Sequence, residues 1–203
     1  MRNKLSKTLF SLMLLGLCPW NVAIANAADI DLQPGDETSI GFARKLLAAA
    51  RGFDAITYVA CLLPRREAAW WGCQCVRAIN DNKVDDFLLA AEAWVREPEE
   101  ASRRAALKLG ASGNMRTATT WLALAAGHSG GSVAPEDSLP VAASPDATAI
   151  DVKVAVVLAI VRRPLPDQSA WIGACIEAGI RFAEGGDAKV RAPDLAVAPA
   201  ARN

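Results

Sequence analysis

Apolar residues recur along most of this chain at the three- and four-residue spacing of an α-helix. The stretch after Thr38 shows the spacing first, with Ile40, Leu46 and Leu47 on one stripe. Because 3.6 residues make one helical turn, such a stripe buries one face of a helix against a core. Alanine, the strongest helix former, contributes most to the apolar fraction. The pattern therefore predicts an all-α fold.

Start and stop residues divide the pattern into six helices and then two more. Caps, prolines and glycines set the bounds. The first helix is capped by Thr38 or Ser39 and stops at Gly52, the second covers 54–62, and the third has Pro64 in its first turn. Pro98 ends the fourth helix and opens the fifth, Asn114 caps the sixth, the seventh covers 147–163, and the eighth runs from Pro166 to Gly185-Gly186. We expect a multi-helix antiparallel bundle or a HEAT-like stack.

The segments between and around the helices define the predicted domain organisation. Residues 28–37 are polar and form a linker, residues 38–186 form one helical domain, and the Pro-containing tail 187–203 is predicted to be disordered. Inside the domain, residues 127–146 form a long loop rich in Gly, Ser and Pro. We expect the first six helices to form one unit, on which the last two dock across this loop.

The N-terminus has the features of a secretory signal peptide over residues 1–27. Arg2, Lys4 and Lys7 precede an apolar stretch from Leu9 to Cys18, and cleavage is predicted near Ala27. The alternative is an uncleaved signal that anchors the chain, although the apolar stretch is shorter than the roughly 20 residues that span a bilayer. The predicted location is periplasmic or secreted.

The charge balance disfavours a nucleic-acid partner. Removing residues 1–27 takes away three of the 22 basic residues and none of the 22 acidic ones, so the mature chain carries a formal charge of −3. No basic stripe remains to neutralise phosphates. The most apolar segment of the mature chain, Ile150–Val161, is too short to span a membrane and contains Asp151 and Lys153.

Four cysteines remain after cleavage, namely Cys61, Cys73, Cys75 and Cys175. An oxidising compartment permits disulfides among them, but burial as small apolar side chains explains them equally simply. Cys73 and Cys75 lie about 200° apart on a helix and therefore do not pair with each other. With a single His and no CxxC motif, the sequence gives no reason to expect a metal site, and it indicates no cofactor.

The densest group of functional side chains lies in the third helix. Arg65, Arg66, Glu67 and Trp70 form the predicted binding surface, together with the 127–146 loop, while Trp71 fits the core stripe. Trp70 lies about 100° around the helix from Trp71, toward a flank. A structural interpretation is also open, in which the tryptophans fill interhelical space and Glu67 pairs with an arginine.

The same segment carries a resemblance to a known family. The sequence LPRREAAWWGCQCVRA, followed by GGSVAP and then by a helix such as AIDVKVAVVLAIV, resembles an uncharacterised bacterial all-helical family with an LPRREAxWW signature. The resemblance spans roughly residues 40 to 185. It implies a helical domain, brings no catalytic residue or cofactor, and is associated with secretion-system and signalling gene neighbourhoods.

Other polar residues are assigned structural roles. His128 is interpreted as a residue of a flexible loop, because its neighbour Ser129 is no evidence for a triad. The acid pairs Asp85-Asp86 and Glu99-Glu100 lie at helix starts, where the helix dipole favours them. The pairs Arg103-Arg104 and Arg162-Arg163 are interpreted as surface charges. The sequence therefore identifies no catalytic residue.

These patterns favour a non-enzymatic helical binding or accessory module of the cell envelope, with another protein as its partner. One alternative is an envelope hydrolase that cleaves glycan with Glu67 as its general acid, which requires a second carboxylate within about 10 Å. Another alternative is an accessory protein of a secretion system or of a toxin–immunity pair.

Overall fold

The computed structural model describes residues 19–195 and is all-helical over that range, which confirms the predicted fold class. The helices are α1 (Pro19–Ala27), α2 (Ser39–Ala48), α3 (Gly52–Leu62), α4 (Arg65–Ile79), α5 (Asp86–Arg96), α6 (Glu100–Ala111), α7 (Ala118–Gly127), α8 (Ala147–Val161) and α9 (Leu165–Ala183). The basic N-terminal residues, the apolar stretch up to Cys18 and residues 196–203 of the tail lie outside the described residues.

The core is centred on α7 and α8. In α7 every residue except Trp121 is buried, and in α8 the buried stripe includes Val152, Val156 and Ile160. Helix α7 packs on α4, α5, α6 and α8, and α8 also packs on α3, α4 and α9. A helix that is apolar nearly all round belongs inside a bundle. The structure thus differs from the expected docking of the last two helices, since α8 completes the interior that the earlier helices surround.

The turn between α2 and α3 differs from the predicted stop at Gly52. Ala50 takes the left-handed backbone conformation, with φ of 59°, and the N–H of Arg51 donates to the carbonyl of Leu46 at 2.9 Å. This pattern ends α2 without a glycine. Gly52 instead begins α3, where a Cβ atom would lie 2.6 Å from the side chain of Ile172. The glycine is therefore required for the close approach of α9.

The segments that flank the helical domain contact it. Asn21 of α1 is buried, donates to the carbonyl of Glu37 at 2.9 Å and accepts a hydrogen bond from Tyr58 at 3.1 Å. Ile30, in the predicted linker, is also buried. At the other end, Ala188 and Val190 are buried after α9. The predicted cleavage and the predicted disorder of the whole tail stay predictions.

Candidate functional site

A groove of about 430 Å³ opens where α4, the end of α5 and the end of α9 meet. Its lining combines charged and aromatic side chains: Arg66, Glu67, Trp70, Val95, Arg96 and Phe182. Three of the four residues of the predicted binding surface, Arg66, Glu67 and Trp70, are therefore brought together in one place. Sequence reasoning missed Val95, Arg96 and Phe182, because they reach the groove from other helices.

Helix α4 presents these side chains because its opposite face is anchored in the core. Trp71 is completely buried, and its indole N–H donates to the carbonyl of Cys175 at 2.9 Å. Ala68 and Ala69 are buried beside it, whereas Trp70 is only partly buried. The burial pattern confirms the predicted positions of Trp70 on the flank and Trp71 in the core. Packing of Trp71 thus fixes the rotation at which α4 faces the groove.

Arg66 lines the groove and is held in place by hydrogen bonds to the end of α5. Its Nε donates to the carbonyl of Val95 at 2.6 Å, and its Nη2 donates to the carbonyl of Arg96 at 3.2 Å. These carbonyls end α5 and have no partner inside their own helix, so a guanidinium group is well suited to satisfy them. Arg66 therefore has a structural task, and its Nη1 donates to no residue that the structure describes.

Two charged side chains of the groove, those of Arg96 and Glu67, have no partner among the residues that the structure describes. Within residues 19–195, neither the guanidinium group of Arg96 nor the carboxylate of Glu67 makes a hydrogen bond or ion pair. Arg96 is exposed, and Glu67 is partly buried. Their unused hydrogen-bonding capacity is directed at solvent or at a ligand.

The apolar part of the groove is aromatic. Trp70 and Phe182 are both partly buried and pack against the core, and Val95 is buried between the helices. The indole N–H of Trp70 donates to no described residue. Aromatic residues and arginine carry much of the binding energy of protein interfaces when they surround a small pocket. The lining has this composition.

Arg65, the fourth predicted binding residue, lies outside the groove and contacts the 127–146 loop. Its Nη1 donates to the carbonyl of Ser129 at 2.8 Å, and its Nη2 donates to the carbonyl of Pro145 at 3.1 Å. One side chain thus joins the two ends of the loop to α4. The structure separates Arg65 from its neighbour Arg66, because adjacent residues on a helix point about 100° apart.

Two further arginines fix the same loop, and one of them contradicts its predicted role as a surface charge. Arg103 is only 4% exposed and donates to the carbonyls of Gly127 at 2.5 Å and Ser132 at 2.8 Å. Arg104 donates to the carbonyl of Ala134 at 2.7 Å. The loop curls over these guanidinium groups, which is why Arg103 loses its contact with solvent.

The 127–146 loop also contacts α8 through His128, which the sequence predicted to be a residue of a flexible loop. Its Nδ1 lies 2.7 Å from Oδ2 of Asp151, and Asp151 is only 5% exposed. Burial raises the pKa of the Asp151 carboxyl group, while the hydrogen bond to His128 opposes that rise. The sequence contained one signal for this pair, since Asp151 is an acidic residue inside an apolar helix.

The four cysteines among the described residues form no disulfide in the structure. Cys61, Cys73, Cys75 and Cys175 are free thiols, and all but Cys61 are fully buried. Burial raises the pKa of Cys61 to about 11 and raises that of Cys75 as well, which also shares a hydrogen bond with Cys175. Since the thiolate is the reactive form, a raised pKa makes the thiols of Cys61 and Cys75 weak nucleophiles at neutral pH.

Residues 19–195 contain no group of three His, Cys, Asp or Glu side chains arranged to hold a metal ion. Over the same range, no helix has both the length and the apolar character needed to cross a bilayer.

Together, these observations describe an all-helical protein with one charged and aromatic groove, whose volume lies within the range of small-ligand pockets, among the described residues. The chain belongs to the Family of unknown function (DUF6931), whose model matches residues 42–183. The matched range runs from α2 to the end of α9 and includes all six residues that line the groove. No curated protein and no solved structure matches the chain.

Proposed function

We propose that this protein is a non-enzymatic binding module of the cell envelope, and that its groove is the surface that contacts a partner protein. The observation that carries the proposal is the meeting of Arg66, Glu67 and Trp70 with Arg96 and Phe182 around one pocket. Such a combination of aromatic and arginine side chains is typical of the residues that dominate interface energies.

The groove also meets the requirement that a binding site be organised before its partner arrives. Arg66 is fixed by its two hydrogen bonds to the end of α5, and Trp70 is oriented by the burial of Trp71. A partner therefore loses little of its binding free energy to the ordering of these side chains. Arg96 and Glu67 make no hydrogen bond or ion pair within residues 19–195, so the bound protein would supply a partner to each of them.

The alternative of a glycan-cleaving hydrolase is less well supported. Glycosidases require two carboxyl groups about 5–10 Å apart across the scissile bond. Among the described residues that line the groove, Glu67 is the single carboxylate. A role as an accessory protein of a secretion system or of a toxin–immunity pair is compatible with a binding module, and the neighbouring genes would distinguish between these contexts.

Export to the periplasm or the exterior is part of the proposal and rests on the signal features of residues 1–27. Cell fractionation followed by N-terminal sequencing tests it. A mature form that begins at Ala28 is the expected result, and an intact N-terminus in the cytoplasm would contradict the proposed location.

The binding role is tested with a variant of the groove and a matched control. We expect Trp70→Gln combined with Arg96→Glu to lose a partner that the wild-type protein captures from its own cell envelope by chemical cross-linking. Arg44→Glu, which reverses an exposed arginine on α2, is the control and should retain that partner. If the groove variant captures the same partner in the same yield, the groove is not the contact surface.

A further inference from the structure

We infer that the groove binds the C-terminal end of a partner polypeptide, with the terminal carboxylate at Arg96 and an apolar last side chain over Trp70 and Phe182. This inference rests on the proposed binding function and specifies the part of the partner that enters the groove. It follows from the charge, the shape and the free hydrogen-bonding groups of the lining.

The charges of the groove select an anion. Arg96 has all its guanidinium donors unused within residues 19–195, and Nη1 of Arg66 is also unused. Guanidinium groups bind carboxylates with paired, directional hydrogen bonds. Two arginines against the single carboxylate of Glu67 leave the groove with one excess positive charge.

Glu67 narrows the anion to one that carries a single charge and has a hydrogen-bond donor beside it. A phosphate group, with a charge near −2, would exceed the single excess positive charge of the groove and would be repelled by Glu67. A terminal carboxylate carries one charge, and the peptide N–H groups that precede it donate hydrogen bonds. The carboxylate oxygens of Glu67, which accept no hydrogen bond from any described residue, are suitable acceptors for such a donor.

The size of the groove restricts how much of the partner enters. Its volume of about 430 Å³ lies within the range of small-ligand pockets. A folded surface in a stable complex instead buries about 800 Å² on each partner, over 20 or more residues. The groove therefore accommodates a few residues at a chain end, with the last side chain against Trp70 and Phe182 and the other parts of the partner outside.

Calorimetric titration of the full chain with short synthetic peptides tests the inference. The probes are Ala-Ala-Ala-X peptides with X as Phe, Leu, Val or Lys, each with a free carboxylate and with an amidated C-terminus. We expect the free forms that end in Phe or Leu to bind, and amidation to weaken them by tenfold or more. Arg96→Gln should reduce the affinity of the free form to that of the amide, while Arg44→Gln leaves it unchanged.

The outcomes separate this inference from the proposed function. Equal binding of the free and amidated peptides, or binding that Trp70→Gln leaves unchanged, overturns the chain-end inference. Failure of every free peptide to bind the wild-type protein at millimolar concentration overturns it too. In each of these cases the groove remains the proposed contact surface if its variant still loses the cross-linked partner, and it is rejected only if that partner is retained.

Discussion

The 127–146 loop and the groove on α4 use the same residue type in opposite ways. In the loop, the guanidinium groups of Arg65, Arg103 and Arg104 all donate to backbone carbonyls. In the groove, Arg96 has no partner within the described residues, and Trp70 and Phe182 are only partly covered. Both regions begin on the same turn of α4, with Arg65 on one side and Arg66 on the other.

The difference shows how a binding surface is distinguished from a structural cluster. A residue whose hydrogen bonds are all made inside the protein contributes to stability, and its loss leaves buried carbonyls without donors. A residue with unused donors at a preformed pocket contributes little to stability and is available to a partner. The comparison therefore predicts that substitution of the loop arginines affects folding, whereas substitution of Arg96 or Trp70 in the groove affects binding. Arg66, which lines the groove but donates to the end of α5, belongs with the structural residues.

The largest effect is expected for Arg103→Met. The substitution removes hydrogen bonds to Gly127 and Ser132 and both contacts with Glu100, at a side chain that is 4% exposed. We expect the free energy of unfolding in urea to fall by about 3–5 kcal/mol, as for other buried charged networks. Arg104→Met, at a more exposed position, is the control and should cost much less. Equal losses in the two variants would contradict the special role of the buried arginine.

A smaller effect is expected for Arg65→Met, which releases the two ends of the loop from α4. We expect a loss of about 1–2 kcal/mol, because Arg65 is exposed and water replaces part of each hydrogen bond. Hydrogen exchange should accelerate at the amide of Val133, whose N–H donates to Val141 inside the loop at 2.8 Å. Unchanged protection of that amide would show that the loop is ordered without Arg65.

Lowering the pH should reduce the stability of the protein by protonating Glu100, which binds the loop arginines Arg103 and Arg104. The hydrogen bond from Arg103, with one from Arg104, lowers the pKa of Glu100 from its ordinary 4.5 to about 2. A carboxylate whose pKa is depressed in the folded state stabilises the fold at pH values above its pKa in the unfolded state. That contribution is lost as the pH falls from about 5 toward 2. Since the side chain is 59% exposed, we expect less than about 1 kcal/mol.

The measurement for Glu100 compares the wild-type protein with Glu100→Gln in urea at pH 7, 4 and 2.5. The difference between the two unfolding free energies should shrink at each step toward acid. A difference that stays constant over this range would show that ionisation of Glu100 does not support the loop.

The smallest effect on stability is expected for Arg96→Glu. Because Arg96 makes no side-chain bond within residues 19–195, its replacement should change the unfolding free energy by no more than about 0.5 kcal/mol. Thermal unfolding of the variant beside Arg65→Met checks this. A loss of unfolding free energy as large as that of Arg65→Met would show that Arg96 stabilises the fold, and the contrast between the groove and the loop would be wrong.

Much of the fold was predictable because helix formation depends on neighbouring residues. The apolar stripes predicted a helix in the place of each one from α2 to α9, and Thr38 is the N-cap of α2, because its side chain accepts from the N–H of Gly41. The predicted cap at Asn114 is wrong, since α7 begins at Ala118 with Thr117 as its N-cap. The angular step of 100° per residue also placed Trp71 inside and Trp70 on the flank. These properties need no knowledge of which helices meet.

The candidate site was only half predictable, because local sequence patterns do not show which helices meet. The residues contributed by α4, namely Arg66, Glu67 and Trp70, share one short stretch of sequence. Arg96 and Phe182 join them only through the packing of α5 and α9 on α4. No local pattern indicates that Phe182, and not Trp171 of the same helix, would reach the groove.

The sequence by itself determined the helices, their order and the side of α4 that is buried, because these follow from periodicity within one turn or two. Only the tertiary structure decided the partners of the charged groups: Arg65 with the loop, Arg66 with the end of α5, and His128 with Asp151. An arginine or a histidine binds whatever acceptor the fold brings within about 3 Å. That acceptor can lie anywhere along the chain, and here it lies 23 to 80 residues away.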